Sequence, residues 1–260
     1  MTIAPIFPSR KQALETPWSG AMARQRLVHG FDSRNASSRS FNLIRSKLVA
    51  LRRERNWRTL GIVSATPDVG KSFVSANLAA AMSRDPRFQC YLVDLDLRRG
   101  TLKDIFGIEP DASIVEFLSE PQSSDTLRGY VLQGQELIII PSVPGEVHSA
   151  ELLASERGTA LFRAMRNSDD RNFFICDLPP VFANDDAAII MESLDGYVVV
   201  AQDGKTTLRE IEATVHMLGD ERLAGVVLNK YRGGLVSEGY GIEERYASEY
   251  YARPEPDLEG

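Results

Sequence analysis

The stretch LGIVSATPDVGKS, residues 60–72, decides the fold of this chain. An apolar strand, Leu60–Val63, enters a small, turn-prone loop, and Gly70-Lys71-Ser72 then opens a segment with apolar residues at helical spacing. Backbone N–H groups of such a loop and the start of its helix surround a polyphosphate with positive partial charge. The stretch therefore predicts a phosphate loop in which Lys71 reaches the β- and γ-phosphates and the Ser72 hydroxyl binds Mg²⁺. An ordinary strand-to-helix turn is the alternative.

Aspartates follow two further apolar runs. Tyr91–Val93 leads into Asp94-Leu-Asp96, and Phe173–Cys176 leads into Asp177. Apolar runs without alternation are typical of parallel strands buried on both faces, and ligands of such sheets bind at the carboxyl ends of the strands. One such aspartate is commonly only a helix N-cap. Because two aspartate-ended runs accompany the Gly-Lys-Ser loop, we expect all three to meet in one crevice that holds a nucleotide and Mg²⁺.

Length and element order predict the architecture. A chain of 260 residues with 43% hydrophobic residues can bury one substantial core. Strands alternate with helical runs, which predicts an α/β fold: a single P-loop domain, residues 36–232, with a mostly parallel central sheet flanked by helices. We expect residues 1–35, which contain four Pro or Gly residues between 5 and 20, to be a mobile basic lead-in, and residues 233–260 to be a flexible, tyrosine-rich tail.

The elements are predicted from periodicity. The predicted strands are about 58–64, 89–94, 136–140, 172–177, 195–201 and 222–229, and the predicted helices are about 38–55, 72–84, 101–107, 112–120, 148–167, 184–192 and 206–218.

Composition argues against several functions. The net charge of −6 does not favour nucleic acid as a partner. Residues 1–60, however, carry twelve Lys or Arg and three Asp or Glu, a basic region that suits anionic lipid, an acidic protein surface or simply solvent. Cys90 and Cys176 lie in predicted strands, and the three scattered histidines show no metal-ligand spacing. No run of about eighteen apolar residues and no secretory signal occur, so we expect a cytoplasmic protein without a membrane span.

Three motifs resemble those of a known family. They are Thr66-Pro67-x-x-Gly70-Lys71-Ser72, Asp94-x-Asp96-x-Arg98 and Asp177-x-Pro179-Pro180. In this arrangement they resemble the bacterial tyrosine kinases, autokinases of polysaccharide synthesis that are built on a P-loop fold. The double-aspartate run is the most specific mark, and residues 149–155 and 226–230 extend the resemblance to roughly residues 40–232.

The resemblance implies ATP and Mg²⁺ as cofactors and assigns site residues. Asp94 or Asp96 accepts or orients the proton of the incoming tyrosine, with Asp94 favoured by the family pattern. Asp177 orders a magnesium-bound water, and Arg98 neutralises phosphate charge or braces its motif. The implied catalytic residues are Lys71, Asp94, Asp96 and Arg98. The implied nucleotide-binding residues are Thr66, Pro67, Asp68, Val69, Gly70, Lys71, Ser72, Phe73 and Asn229. The implied metal-binding residues are Ser72, Asp94 and Asp177.

The C-terminal region is unusually rich in tyrosine. Five of the eight tyrosines of the chain fall after residue 230, among Gly, Glu and Pro and without a sustained apolar face. By resemblance the last four are phosphorylation sites, offered to the active site of a neighbouring molecule: Tyr240, Tyr246, Tyr250 and Tyr251. An aromatic tail that packs on a partner is the alternative.

Departures from the family pattern bear on regulation. Asp68 stands where the family usually has Gly, so its charge is expected to weaken ATP binding or to create a need for an activator. The resemblance implies a membrane-anchored polysaccharide co-polymerase in that role, which would hold this chain at the inner face of the membrane. Self-association is expected, but only Arg45 is kept of the family's Glu-x-x-Arg-x-x-Arg assembly pattern, whose first two positions are Arg39 and Asn42 here.

Two other functions fit the same fold. The first is a partitioning-type P-loop ATPase, although that class carries a second Lys at the position of Thr66 and leaves the tyrosines unexplained. The second is a catalytically weak nucleotide-binding scaffold of a polysaccharide assembly complex, in which the altered loop has lost the kinase activity.

Overall fold

A computed structural model describes residues 5–119, 125–145 and 148–231 of the chain. Within these residues, eight strands form a single sheet: Leu14–Thr16 (β1), Thr59–Val63 (β2), Gln89–Asp94 (β3), Tyr130–Leu132 (β4), Ile138–Ile140 (β5), Asn172–Asp177 (β6), Gly196–Gln202 (β7) and Leu223–Asn229 (β8). The helices are Gly20–Gln25 (α1), Arg39–Arg55 (α2), Lys71–Ser83 (α3), Leu102–Phe106 (α4), Ile114–Ser119 (α5), Ser149–Ala154 (α6), Glu156–Arg166 (α7), Asp186–Met191 (α8) and Leu208–Leu218 (α9).

Local chemistry sets several of these boundaries. Thr207 caps α9 in a capping box, in which its side chain accepts from the Glu210 N–H and the Glu210 carboxylate accepts from the Thr207 N–H. Asn56 ends α2 and Gly107 ends α4, both in the left-handed backbone conformation that these residue types tolerate.

The sheet order is β1-β4-β5-β3-β6-β2-β7-β8. All neighbours are parallel except β4 and β5, so the predicted single α/β domain with a mostly parallel sheet is confirmed. β3 and β6 lie side by side in a register that pairs Asp94 with Asp177 at their carboxyl ends. The topology thus places the two aspartate-ended strands next to each other, with β2 and its loop beside β6.

Hydrophobic layers cover both faces of the sheet. Successive strand residues point to opposite faces, so Leu92 packs in the layer that contains α3, whereas Val93 packs in the layer that contains α7. All five residues of β2 are buried. Burial on both faces explains why the central strands lack polar alternation.

Residues 5–35 differ from the mobile lead-in that the sequence predicted. β1 adds to the sheet beside β4, and Phe7 is buried against the rings of Tyr91 and Phe174. Val28 is also buried, and Asn77 of α3 bonds the backbone of the segment around it. The segment joins the core through single apolar residues and backbone bonds, which leave no periodic pattern in the sequence. The predicted boundary at residue 232 falls at the end of the described residues and stays a prediction.

Candidate active site

The phosphate loop runs from the end of β2 to the start of α3. Asp68 and Gly70 have φ angles of 63° and 90°, so both adopt a left-handed backbone. Glycine adopts this conformation at no steric cost, and aspartate tolerates it better than most residues. Val69, between them, is buried, and its carbonyl accepts a hydrogen bond of 2.9 Å from the Asn229 amide. Residue 69 is thus an internal anchor of the loop.

Lys71 lies inside a cluster of carboxylates. Its Nζ is 2.9 Å from Asp177 Oδ1 and 3.6 Å from Asp96 Oδ2, and only 7% of the residue is exposed. Ser75, one turn further along α3, donates a 2.8 Å hydrogen bond to the same Asp177 oxygen. The structure therefore brings together the loop lysine and the two aspartate-ended strands, as the sequence predicted.

Asp94 is the most enclosed member of the cluster. It is fully buried, and its two oxygens accept hydrogen bonds from the backbone N–H groups of Leu102 (3.1 Å) and Asp96 (3.3 Å). These bonds tie the start of α4 to the end of β3. Asp96, two residues on, lines the cavity above the phosphate loop, whereas Asp94 lies behind it.

Burial and mutual repulsion shift the ionisation of these groups. Burial, and then the charge of Asp177, raise the pKa of Asp94 well above its ordinary value. Burial also raises the pKa of Asp96, although Lys71 opposes the shift. For Lys71, burial lowers the pKa, but Asp177 and Asp96 outweigh it, so the net shift is upward. The lysine is thus held as a cation by Asp177 and Asp96.

The oxygen donors of the site suit Mg²⁺. The hydroxyl of Ser72 and the carboxylates are hard ligands, and Asp177 Oδ2 is buried without a hydrogen-bond partner among the described residues. No group of three or more His, Cys, Asp or Glu side chains that could hold a metal occurs in the part of the chain that the structure describes. Mg²⁺ usually takes only one or two carboxylates and completes its shell with phosphate and water, so the set fits a nucleotide-bound Mg²⁺ rather than an all-protein metal cage.

A cavity of about 160 Å³ lies over the loop. Its lining includes two residues that the sequence reasoning missed, Arg99 and Thr101. Arg99 Nη1 is 2.8 Å from Asp68 Oδ1, so the unusual loop carboxylate is paired with a cation. The Thr101 hydroxyl donates a 2.8 Å hydrogen bond to Ser72 Oγ. Neither residue stands in a motif with a known spacing, so only the three-dimensional structure reveals them.

Some of the remaining predicted site residues line the cavity and others do not. Pro67, Ser72 and Phe73 line the cavity. Arg98 does not; its Nε bonds Ser149 Oγ at 2.9 Å and lies 3.6 Å from Asp186 Oδ2. The carbonyl of Thr66 accepts a hydrogen bond from Ser64 Oγ at 2.8 Å. The four predicted phosphorylation sites lie outside the described residues: Tyr240, Tyr246, Tyr250 and Tyr251.

Comparison with known proteins defines the family. The family model described as the CobQ/CobB/MinD/ParA nucleotide binding domain matches residues 60–250. The chain belongs to this nucleotide-binding family. The match begins at β2 and includes the phosphate loop and all four clustered residues, Lys71, Asp94, Asp96 and Asp177.

Several relatives bear out the resemblance to bacterial tyrosine kinases. The tyrosine-protein kinase ptk of Acinetobacter johnsonii is 32% identical over 183 residues, which are 70% of this chain and 24% of that protein. The tyrosine-protein kinase YwqD of Bacillus subtilis is 26% identical over 231 residues, 87% of this chain and 96% of the relative. The BceF tyrosine kinase domain superposes with a TM-score of 0.66 at 25% identity, covering 85% of this chain and 92% of that domain. The chain spans about a quarter of the length of the first curated relatives it matches.

Among the described residues, no helix combines the length and the apolar character that crossing a bilayer requires.

Proposed function

We propose that this chain is an ATP-dependent protein-tyrosine kinase that phosphorylates C-terminal tyrosines of a second copy of itself and regulates bacterial exopolysaccharide or capsule synthesis and export. The observation that carries the proposal is the cluster of Lys71 with Asp96 and Asp177 beside the phosphate loop. Asp94 and Asp96 add an acidic pair to the ordinary loop-and-aspartate arrangement. Relatives named tyrosine-protein kinases support the same reaction.

Phosphoryl transfer in this site works by positioning and charge neutralisation. The loop N–H groups and Lys71 hold the β- and γ-phosphates, and the lysine exchanges part of its contact with Asp177 for the phosphate oxygens. Ser72, Asp94 and Asp177 would hold Mg²⁺, directly or through water. When bound, Mg²⁺ supplies positive charge that offsets the charge of the transferring phosphoryl group.

Asp96 is the carboxylate best placed to take the proton of the tyrosine hydroxyl. It lines the cavity, whereas Asp94, which the family pattern favours, is fully buried and bonded to two backbone N–H groups. Burial raises the pKa of Asp96, which makes the carboxylate a stronger base than an exposed aspartate. The tyrosine hydroxyl has an ordinary pKa near 10, so a base at this position lowers the barrier to its attack.

Regulation by a partner is part of the proposal. Asp68 puts a negative charge on the phosphate loop, and its ion pair with Arg99 is exposed to solvent. An activator that strengthens this neutralisation would raise ATP affinity. We assign that part to the cytoplasmic segment of a membrane-anchored polysaccharide co-polymerase, which would place the cytoplasmic kinase at the membrane. Self-association supplies the acceptor tyrosines.

The test is a phosphotyrosine assay of the purified protein with Mg²⁺ and ATP. The wild type is compared with Lys71→Met and with a chain truncated after Gly233. A signal that both variants lose supports a P-loop tyrosine autokinase with its acceptors in the last 27 residues. If the protein binds or hydrolyses ATP but makes no phosphotyrosine, even with the co-polymerase segment added, a partitioning-type ATPase or a nucleotide-binding scaffold is the better assignment.

A further inference from the structure

Arg98 is held in place by a buried polar network beside the active site. Ser149 Oγ accepts from Arg98 Nε and donates a 2.6 Å hydrogen bond to Asp186 Oδ2, which also accepts from the Asn184 amide at 2.8 Å. Asp186 is only 1% exposed, so its carboxylate needs a nearby cation, and Arg98 Nε lies 3.6 Å away. The network fixes one edge of the guanidinium.

The terminal nitrogens of this guanidinium are available to bind an anion. The Arg98 side chain is 54% exposed, and among the described residues neither of its terminal nitrogens has a hydrogen-bond partner. The two other cations nearby are already engaged, because Lys71 contacts Asp96 and Asp177, and Arg99 contacts Asp68. Arg98 thus presents a preorganised fork for a carboxylate or another anion.

Exposed apolar side chains stand in the loops on either side. Phe182, after β6, is 46% exposed, and its N–H bonds the phosphate-loop carbonyl of Ala65 at 3.1 Å. Val143, after β5, is 39% exposed. Because the sheet order is β5-β3-β6, the loop that carries Arg98 lies between these two loops, at the edge where Asp96 faces the cavity. Three adjacent loops therefore carry an aromatic side chain (Phe182), an aliphatic side chain (Val143) and an anchored cation (Arg98).

We propose that this rim, formed by Arg98, Phe182 and Val143, is the binding site for the acceptor segment, an acidic tyrosine peptide from a second copy of the chain. The inference rests on the proposed kinase function. Residues 232–260 contain seven Asp or Glu and three Lys or Arg, and Glu243, Glu244 and Glu249 closely precede Tyr246 and Tyr250.

Charge explains why such a peptide needs this cation. Without it, an acidic segment would approach Asp94, Asp96 and Asp177 against their repulsion. Arg98 stands two residues beyond Asp96, so binding a glutamate there offsets the repulsion while the neighbouring tyrosine ring packs against Phe182. Asp186 and Ser149 act as positioning residues, since they orient the guanidinium without touching the peptide.

The test measures binding of a fluorescent peptide of residues 238–253 to the full chain with Mg²⁺ and ADP. We expect Arg98→Ala, Phe182→Ala and Asp186→Asn each to weaken peptide binding about fivefold, equivalent to about 1 kcal/mol. In Phe182→Ala and Asp186→Asn, ADP affinity should stay within about twofold. Matched controls outside the rim, the exposed Arg166→Ala and Leu208→Ala, should leave both affinities unchanged.

A second peptide isolates the charge contact. Replacing three of its four glutamates, Glu243, Glu244 and Glu249, by glutamine should weaken binding to the wild type but not to Arg98→Ala, because the cation they contact is already gone. Equal weakening in both proteins, or wild-type binding by Arg98→Ala, would overturn the inference. In a parallel transfer assay, a raised KM for the peptide at unchanged kcat in Phe182→Ala supports the rim.

The two proposals fail in different ways. Peptide binding that depends on Arg98 without any phosphate transfer would refute the kinase and keep the peptide site. Phosphate transfer with a KM that is indifferent to Arg98 and Phe182 would keep the kinase and refute the rim.

Discussion

Replacing Asn77 by alanine tests how residues 5–35 are attached to the domain. The Asn77 side chain is fully buried on α3, and its Oδ1 accepts from the N–H groups of His29 (2.7 Å) and Gly30 (3.1 Å). Its Nδ2 donates to the carbonyls of Leu27 and Phe73, both at 3.0 Å. Truncation leaves the two N–H groups and the Leu27 carbonyl without these partners. At about 1 kcal/mol for each lost bond, we expect the free energy of unfolding to fall by about 3 kcal/mol.

Urea unfolding followed by tryptophan fluorescence measures this loss. Trp18 packs against Phe31 and Phe106, so its emission also reports the state of the segment. We expect trypsin to cut Asn77→Ala faster within residues 24–34, because their backbone bonds to α3 are gone. The exposed Asn167→Ala should change neither measurement. A loss below about 1 kcal/mol together with unchanged cleavage would refute the view that Asn77 fastens this segment to the phosphate-loop helix.

Three further outcomes follow from the site. Asp68→Gly should tighten ATP binding about fivefold, because a like charge at about 4 Å in water costs about 1 kcal/mol, whereas Arg99→Ala should weaken ATP binding. Nucleotide titration measures both changes. ATP affinities equal to that of the wild type in both variants would contradict the repulsion by Asp68. Asp94→Asn should change the melting temperature of the nucleotide-free protein more favourably at neutral pH than at about pH 3. The folded pKa of Asp94 is raised, so its charge costs stability above the unfolded pKa of about 4 and costs nothing below it, whereas the backbone N–H that loses its acceptor costs the same at both pH values. An equal change at the two pH values would count against this cause. Thr101→Val should raise the Mg²⁺ concentration needed for half-maximal nucleotide binding about tenfold, because Ser72 loses the hydroxyl that orients it; an unchanged Mg²⁺ requirement would exclude that contribution.

The central sheet and the cluster of Lys71 with the aspartates were predictable from sequence for one reason. Parallel strands buried on both faces appear in the sequence as continuous apolar runs. The residue that ends each run marks the carboxyl edge of the sheet, where ligands bind. Asp94 and Asp177 both end such runs, and the register of β3 and β6 pairs them, which brings them to one crevice as predicted. Convergence of Lys71 on this pair follows from the strand order, which places β2 beside β6.

The parts that sequence did not reveal depend on single contacts. β1 and β4 have three residues each, too few to show a period of two, and α1 has no buried residue. Arg98 and Arg99 are adjacent in sequence, yet one bonds Ser149 outside the cavity and the other lines it. No spacing rule distinguishes two neighbouring arginines in a loop, because their directions depend on which carboxylate each one meets.

The charge balance of the site links metal and nucleotide binding. Asp94, Asp96 and Asp177 lie around Lys71, so carboxylates outnumber the cation within this cluster. Burial, reinforced by the negative charge of Asp177, raises the pKa values of Asp94 and Asp96. A triphosphate alone would add further negative charge and would compete with two aspartates for the lysine. Mg²⁺ held with the nucleotide would supply the missing positive charge beside the carboxylates, and Lys71 would then contact the phosphates. The same carboxylates that make nucleotide binding costly without the metal would thus favour the metal-bound nucleotide, and Asp96 is the one that faces the cavity.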